Sequence, residues 1–288
     1  DLFRRVGMAA LLRENRDDLA EEFGPKHEFG VGIPAPAQTI AWSMTLAKEK
    51  DPSVVQFWAD LKNGYSEIHN QEVEKGLQQL PPKLQWLRRA FAAFYGSATQ
   101  LYYKNSEGVV EQIMTDGGVL QGDAPSGVYF NAGLQAKFDQ IQMEYPEAAL
   151  VKYSDDLNGT VHPRHWVELE EDRAEAGIDK NGNSRYLRED GTMPTRVPMA
   201  VAIMLRWENL TASIGLRVSH KKRGVCSVGT ELDARDYELV PITEGLKVGG
   251  IPIGTPKFVQ EQLQKMVQEN VNDVYEAVGK MARAQDRH

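Results

Sequence analysis

The chain of 288 residues contains one cysteine, Cys226. A single thiol excludes an intramolecular disulfide and any cysteine-rich zinc site, and it fits a reducing compartment. Apolar runs long enough to span a bilayer are also missing, and no positively charged and apolar signal segment opens the chain. We therefore expect an intracellular protein, in the nucleus or cytoplasm, with no membrane partner. Because the chain begins at Asp1 rather than Met, we expect it to be part of something longer.

Positive charge is also in short supply. Lys and Arg number 33 against 41 Asp and Glu, which gives a net charge of −8. Proteins that grip nucleic acid usually carry a basic face, so this balance disfavours tight, autonomous nucleic-acid binding without excluding a local basic groove. The simplest interpretation of charge alone is a soluble enzyme. A hydrophobic content of 41% and a charged content of 26% are ordinary for one elaborate globular domain or two modest ones.

An apolar stretch ends in two adjacent carboxylates at residues 151–157, which read VKYSDDL. Neighbouring aspartates at the end of a strand repel each other and lose hydration, and a bound divalent cation relieves both effects. By itself, Y-x-D-D is a weak signal, since most such pairs are solvated turns. It gains force from two upstream segments, residues 57–65 (FWADLKNGY) and 118–126 (GVLQGDAPS).

Hydrophobic periodicity and turn residues predict the secondary structure. The predicted helices cover residues 2–23, 37–48, 70–80, 84–95, 126–145, 199–214 and 258–281. The predicted strands cover residues 53–59, 100–103, 109–114, 148–153 and 157–162, with a further pair within 246–253 that two glycines divide. A tight turn after Tyr153 would place Asp155 and Asp156 at the tip of an antiparallel pair, and Asp60 directly follows another strand.

Residues 163–198 break this pattern because they are dense in Glu, Asp, Arg, Gly and Asn. The run DKNGN at 179–183 lacks the spacing of a calcium loop, since its glycine comes too early and the distal Glu is missing. We interpret the segment as a solvated insertion. His162 and His165 lack matching metal-binding partners in the sequence, so we expect them at the surface.

If the strand end at Asp60 lies beside Asp155 and Asp156, three carboxylates converge. Such a cluster can hold two metal ions about 3.5–4 Å apart, one that activates an attacking hydroxyl and one that steadies a leaving phosphate oxygen. Mg²⁺, or Mn²⁺ in its place, is satisfied by a few carboxylates together with water and substrate phosphates, so the site needs no His or Cys.

In chain order, these segments resemble the palm motifs of reverse transcriptases, closest to those of non-LTR retrotransposons. Residues 57–65 resemble the first motif, in which an aromatic residue follows the aspartate by five positions. Residues 118–131, which include QGDAPSGVYFN, resemble the second, usually written Q-G-D-P-L-S-P-x-x-F-N, and residues 153–156 resemble the Y-x-D-D box. Further similar segments are residues 29–34 (FGVGIP), 215–222 (GLRVSHKK) and 247–254 (KVGGIPIG). Departures include Gly64, where alanine is common, and Ser219 in place of asparagine.

The resemblance implies roles at the matching positions. Asp60, Asp155 and Asp156 would bind the two catalytic metal ions. Tyr65 would lie under the incoming sugar as a steric gate that rejects a 2′-hydroxyl. Since RNA-templated RNA polymerases place a second aspartate near that position to accept a ribose, Tyr65 disfavours that class.

The other implied roles concern the substrates. Lys222 would protonate or neutralise the leaving pyrophosphate, with Lys221 as a close competitor. The implied nucleotide- and template-binding residues are Gln121 and Gly122 in the pocket, Tyr153 beside the primer end, and Arg4 or Arg5 at the triphosphate.

The implied fold is α+β, a right-hand polymerase palm formed by an antiparallel sheet backed by helices, with partial fingers. The expected division is partial fingers (residues 1–50), palm (51–80), a fingers helix and hairpin (81–119), palm with the insertion 163–198 (120–255), and the start of a thumb or connecting helix (256–288).

The implied function is that of an RNA-directed DNA polymerase of a retroelement, a nucleotidyltransferase that extends a primer 3′-hydroxyl with dNTPs. Its expected partners are an RNA template, a DNA or RNA primer, and other domains of a longer polyprotein. The competing hypothesis is a non-catalytic, domesticated module of the same fold that scaffolds RNA or protein. The three retained aspartates argue against this alternative, whereas the net acidity and the lack of a full thumb argue for it.

Overall fold

The computed structural model describes residues 2–97, 99–115, 117–168, 196–226, 228, 232, 237 and 240–285. Its α-helices are α1 (Leu2–Glu14), α2 (Arg16–Phe23), α3 (Pro36–Lys50), α4 (Gly64–Glu67), α5 (Asn70–Gln78), α6 (Trp86–Tyr95), α7 (Ser126–Glu144), α8 (Met199–Ala212) and α9 (Pro256–Gln285). Its strands are β1 (Val55–Lys62), β2 (Thr99–Lys104), β3 (Val110–Thr115), β4 (Ala149–Tyr153), β5 (Asp156–Val161), β6 (Trp166–Glu168), β7 (Arg196–Pro198), β8 (Arg217–Cys226), β9 (Ile242–Thr243), β10 (Gly245–Val248) and β11 (Ile251–Gly254). Within these residues, no helix combines the length and apolar character needed to cross a membrane.

The central sheet has the strand order β4-β5-β1-β8-β9. β1 lies in the middle and pairs antiparallel with both β5 and β8, whereas β8 and β9 run parallel. The predicted all-antiparallel sheet is therefore wrong at this edge, and the sheet is mixed. Residues 227–241 separate β8 from β9, a connection long enough for the chain to return in the same direction.

The two faces of β1 differ in character, as expected from the period of two in a strand. Val55, Phe57, Ala59 and Leu61 are buried in the main hydrophobic core. The intervening residues point to the other face, and Asp60 is one of them. Burial of the apolar face thus fixes the direction in which the Asp60 carboxylate points.

Both faces of the sheet are covered. The main core packs the sheet against α5, α6, α7 and α8, and its largest buried side chains include Trp207, Tyr129 and Phe57. On the other face, a smaller cluster joins Ile40 and Met44 of α3 to Leu246 and Ile253 of the β10–β11 hairpin. α3 and the hairpin therefore cover part of the second face of the sheet. Asp60 lies on that same face.

Most predicted elements are present, with boundary changes that have local causes. The single helix predicted over residues 2–23 is divided at Asn15, whose side-chain Nδ2 donates to the Leu11 carbonyl at 2.8 Å. β1 does not end before Asp60 as predicted, because pairing with β5 and β8 carries it on to Lys62.

Two regions depart further from the prediction. The ends of the insertion 163–198 form an antiparallel ribbon, β6 with β7, which the sequence pattern does not predict, and residues 169–195 lie outside the described residues. β8, a ten-residue strand, was not predicted.

Gly76 allows the backbones of α5 and α7 to approach closely, because a Cβ there would lie 2.0 Å from the Ala132 carbonyl oxygen. We expect Gly76→Ala to lower the free energy of unfolding by about 1–3 kcal/mol through overpacking. Gly7→Ala in α1 is the matched control, since a Cβ there meets no atom within 4 Å. Helix propensity alone predicts that this control gains about 1 kcal/mol. Urea unfolding of both variants measures the difference, and similar stabilities would contradict the close packing.

Candidate metal and nucleotide site

Three carboxylates converge at one end of the β4–β5 turn. Asp60, Asp155 and Asp156 each offer an oxygen, and these oxygens lie within 4.8 Å of one another. Asp60 and Asp156 are direct partners across the β1–β5 ladder. The Asp155 carbonyl accepts a hydrogen bond from the Leu61 N–H at 3.1 Å, which ties the turn to β1. The predicted convergence of the three aspartates is confirmed.

Burial and mutual repulsion disfavour ionisation of this cluster. Desolvation, then the charges of Asp155 and Asp60, raise the pKa of Asp156 to about 8. Desolvation is also the main cause that raises the pKa of Asp155. Asp156 and Asp60 face each other across the β1–β5 ladder, and hydrogen bonding between their carboxyl groups adds to the rise in the Asp156 pKa.

The donor set fits a hard divalent cation. The three aspartates supply only carboxylate oxygens, which are the ligands that Mg²⁺ and Mn²⁺ prefer, and the raised pKa of Asp156 means that its anionic form is disfavoured without a nearby cation. The triad could therefore hold a metal ion.

A cleft of about 310 Å³ opens beside the triad. It is lined by Asp60, Leu61, Lys62, Asn63, Gly64, Tyr65, Ser66, Gln121, Asp155, Ser219 and Lys222. Four separated parts of the sequence thus line one cavity, and two of the three aspartates are among the lining residues. The structure places the predicted Tyr65, Gln121 and Lys222 here.

The Tyr65 ring is held from two directions. It stacks on Phe130 of α7 with ring centroids 4.6 Å apart, and its hydroxyl donates to Ser154 Oγ at 3.3 Å. A Cβ at Gly64 would lie 2.9 Å from the Phe130 ring, so the absence of a side chain at Gly64 permits this stacking. The Val119 N–H donates to the Tyr65 carbonyl at 2.6 Å, which brings the segment leading to Gln121 against α4.

Lys222 reaches the triad from a bulge in β8. Residues 219–222 bulge opposite Asp60, and Lys222 Nζ lies 3.1 Å from Asp60 Oδ2. The hydrogen bond to Asp60 is the main cause that raises the pKa of Lys222. Glu208 of α8 holds the bulge through Arg223 at 3.0 Å and through His220 at 3.2 Å.

Other predicted residues lie elsewhere. Gly122 is exposed in a left-handed backbone conformation (φ 84°) that favours glycine. Tyr153 packs against the smaller hydrophobic cluster. Arg5 is exposed on α1. These three residues are not among those that line the cleft.

Arg4 belongs to a different environment. Its guanidinium pairs with the buried Asp123 at 3.0 Å and lies 4.9 Å from the centre of the Phe94 ring. It lines a separate cavity of about 190 Å³ with Tyr95 and Val119. The prediction that Arg4 or Arg5 contacts a triphosphate stays a prediction.

Sequence reasoning missed four residues that support the site: Phe130, Ser154, Glu28 and Lys152. Glu28 and Lys152 form an ion pair in which both side chains have 0% exposure. The available signal was a charged residue inside the otherwise buried strand predicted at 148–153. Contact with Tyr65 depends on tertiary packing and gave no sequence signal.

No known protein-family profile and no curated protein sequence match this chain. Among solved structures, telomerase from Candida albicans in complex with a TWJ fragment of telomeric RNA is similar at 11% identity and a TM-score of 0.48, with 87% of this chain and 38% of that chain covered. Apo telomerase from Candida tropicalis, truncated from its C-terminal domain, is similar at 11% identity and a TM-score of 0.49, with coverages of 88% and 44%. The chain thus spans about two fifths of the length of these telomerases. Likeness at this level does not establish a family or an activity.

The pKa values predict how stability varies with pH without metal. An aspartate with a raised pKa in the folded state binds a proton that the unfolded chain lacks, so stability falls as pH rises from about 4 towards 8. In Asp156→Asn, the contribution of residue 156 to this loss disappears, because the amide stays neutral, whereas the contribution of Asp155 remains. We expect the drop in Tm between pH 5 and 8 to shrink by at least half, and the rise in Tm on adding Mg²⁺ at pH 8 to be largely lost.

Circular dichroism melts of the intact chain, Asp156→Asn and Asp17→Asn measure this effect. Asp17 is exposed on α2, so its variant should behave like the intact chain. Equal pH dependence in all three proteins would show that Asp156 is not under electrostatic strain.

Proposed function

We propose that the chain is the palm, with partial fingers, of an RNA-directed DNA polymerase, and that it extends a primer 3′-hydroxyl with dNTPs on an RNA template. The observation that carries this proposal is the convergence of Asp60, Asp155 and Asp156 beside one cleft with Tyr65 and Lys222. The triad alone would fit many phosphoryl-transfer enzymes. The combination with a stacked tyrosine five residues after Asp60, in the order of reverse-transcriptase motifs, favours this one.

In this proposal, the aspartates hold the catalytic ions. Two divalent ions at Asp60, Asp155 and Asp156 would activate the primer hydroxyl and neutralise charge on the leaving pyrophosphate. Asp155 lines the cleft and would face the reacting groups, whereas Asp156 lies on β5 opposite Asp60. Three carboxylates suffice because substrate phosphates and water complete the coordination of Mg²⁺.

Lys222 and Tyr65 act on opposite ends of the nucleotide. Lys222 is protonated at neutral pH, and Asp60 raises its pKa further, so its ammonium would neutralise the leaving pyrophosphate or donate a proton to its oxygen as the bond to the α-phosphate breaks. Tyr65 would exclude a ribose 2′-hydroxyl, since stacking on Phe130 prevents its ring from yielding. Gln121 extends from the loop before α7 to the nucleotide or template base.

The proposed division of the chain follows from this site. The sheet with α5, α7 and α8 would be the palm, and α1 to α3 with α6 and the β2–β3 hairpin would be partial fingers. α9 would begin a thumb or a connecting helix. The retroelement origin, the RNA template and a longer polyprotein remain part of the proposal.

Primer extension tests the proposal. With an RNA template, a labelled DNA primer, dNTPs and Mg²⁺, the intact chain should extend the primer. Asp155→Asn should reduce the rate by about a hundredfold or more, because a ligand that stabilises transition-state charge is lost. Asp17→Asn is the matched control and should retain full activity.

Lack of extension by the folded intact chain would contradict catalysis by this chain alone. Mg²⁺-dependent stabilisation of the same sample then separates two explanations. If Mg²⁺ raises the Tm, the site binds metal and further domains are required for turnover. If Mg²⁺ has no effect, the non-catalytic scaffold is the better description.

The proposed steric gate at Tyr65 leads to a separate prediction. Tyr65→Ala should raise incorporation of rNTPs relative to dNTPs by about tenfold or more, because the side chain that meets the 2′-hydroxyl is removed. Tyr65→Phe keeps the ring stacked on Phe130 and should keep the discrimination. Competitive single-nucleotide extension measures the ratio, and equal ratios for alanine and phenylalanine would exclude a steric gate at Tyr65.

A further inference from the structure

A buried ion pair lies beneath the turn that carries the aspartates. Glu28 and Lys152 have side chains with 0% exposure and form a direct ion pair. Lys152 Nζ also donates to Asn131 Oδ1 of α7 at 2.6 Å. The backbones are linked as well, since the Lys152 N–H donates to the His27 carbonyl and the Phe29 N–H donates to the Lys152 carbonyl, each at 2.9 Å.

The Glu28 carboxylate does more than pair with Lys152. It accepts a hydrogen bond from the backbone N–H of Gly30, and the nearby backbone N–H of Ser154 lowers its pKa. A Cβ on Gly30 would lie 2.8 Å from Ser154 Oγ and 3.0 Å from Ser154 N, so glycine is what lets these segments approach. Residues 28–30 therefore pack directly against Ser154, the residue that precedes Asp155.

Ser154 has a backbone conformation that needs support. Its φ of 55° is left-handed, which is unfavourable for a residue with a side chain. The next residue, Asp155, begins the pair of metal-binding aspartates, and the Ser154 hydroxyl also accepts the hydrogen bond from Tyr65. A small rotation at Ser154 would move both carboxylates and the gate.

Ion pairing by itself is a weak reason for two charges at this depth, because a buried pair can be replaced by apolar residues of similar volume with little loss of stability. An apolar replacement cannot accept the N–H of Ser154. The acceptor oxygen is therefore the part of the pair that the turn requires, and Lys152 holds the Glu28 carboxyl group in place and opposes the rise in its pKa that burial causes.

We propose that Glu28 is a positioning residue for the metal site: its carboxylate fixes Ser154 and so orients the aspartates that follow. Lys152 is its neutralising partner. This inference rests on the proposed function, since it concerns how the proposed metal ligands are held.

Two double variants distinguish the role of the hydrogen-bond acceptor at position 28 from the role of the Glu28–Lys152 ion pair. Glu28→Gln/Lys152→Met removes both charges and keeps a carbonyl oxygen at position 28. Glu28→Leu/Lys152→Met removes both charges and the acceptor. Both lose the lysine that bonds Asn131, so they differ only in the group offered to Ser154 and Gly30.

Mg²⁺ titration followed by thermal shift and calorimetry gives the first readout. Glu28→Gln/Lys152→Met should bind Mg²⁺ within about threefold of the intact chain, whereas Glu28→Leu/Lys152→Met should bind it about tenfold or more weakly at a similar metal-free Tm. Equal affinities in the two folded variants would overturn the positioning role. No Mg²⁺ binding by the intact chain would overturn the proposed metal site instead.

The second readout needs neither metal nor activity. In ¹⁵N-serine-labelled intact chain, the Ser154 amide should exchange slowly with solvent and resonate downfield because it faces a side-chain acceptor oxygen at position 28. This signature should persist with glutamine at position 28 and vanish with leucine. If the leucine variant does not fold, the exchange rate of the Ser154 amide in the intact chain tests the inference. A rate as fast as that of an exposed amide would overturn it.

Discussion

The central constraint on this molecule is that three carboxylates must lie within 4.8 Å of one another. The β1–β5 register imposes this proximity, because Asp60 and Asp156 are direct cross-strand partners. Like charges opposite each other destabilise a ladder. The register survives because a one-residue slip would move Phe57, Ala59 and Leu61 out of the main core, a larger loss than the repulsion. The hydrophobic core thus supplies the free energy that keeps the acidic cluster together.

Different elements support the acidic cluster from the cleft side and from the buried side. Lys222 offsets part of the negative charge from the cleft side, and its bulge is anchored on α8 through Glu208. Glu28 supports the turn from the buried side. Ser154 lies between the two systems, since its hydroxyl meets Tyr65 and its N–H meets Glu28. The Tyr65 hydroxyl and the turn that carries Asp155 and Asp156 therefore share one support at Ser154, so a change at Ser154 would affect both.

Sequence reasoning predicted what depends on local pattern and on motif order. Helices such as α7 and the β4–β5 pair have strong periodicity, and the three aspartates stand at the ends of apolar segments. It could not predict β8, because charged residues at 220–223 hide the alternation of a strand whose bulge is fixed by Asp60 and α8. Nor could it predict the Glu28–Lys152 pair, since two charges 124 positions apart become partners only when the sheet forms. The parallel edge strand β9 depends on a long connection whose path has no local signal.

The net charge of −8 can be compared with the charges that line the cleft. Two aspartates and two lysines, Lys62 and Lys222, line the cleft, so the cleft has no large positive surplus. A triphosphate or a nucleic-acid backbone would be repelled by Asp60 and Asp155 until cations neutralise them. In the proposed function, metal ions at the triad would supply the affinity for polyanions at the place where they react. An acidic chain is compatible with that proposal, because the required positive charge would come from the bound ions.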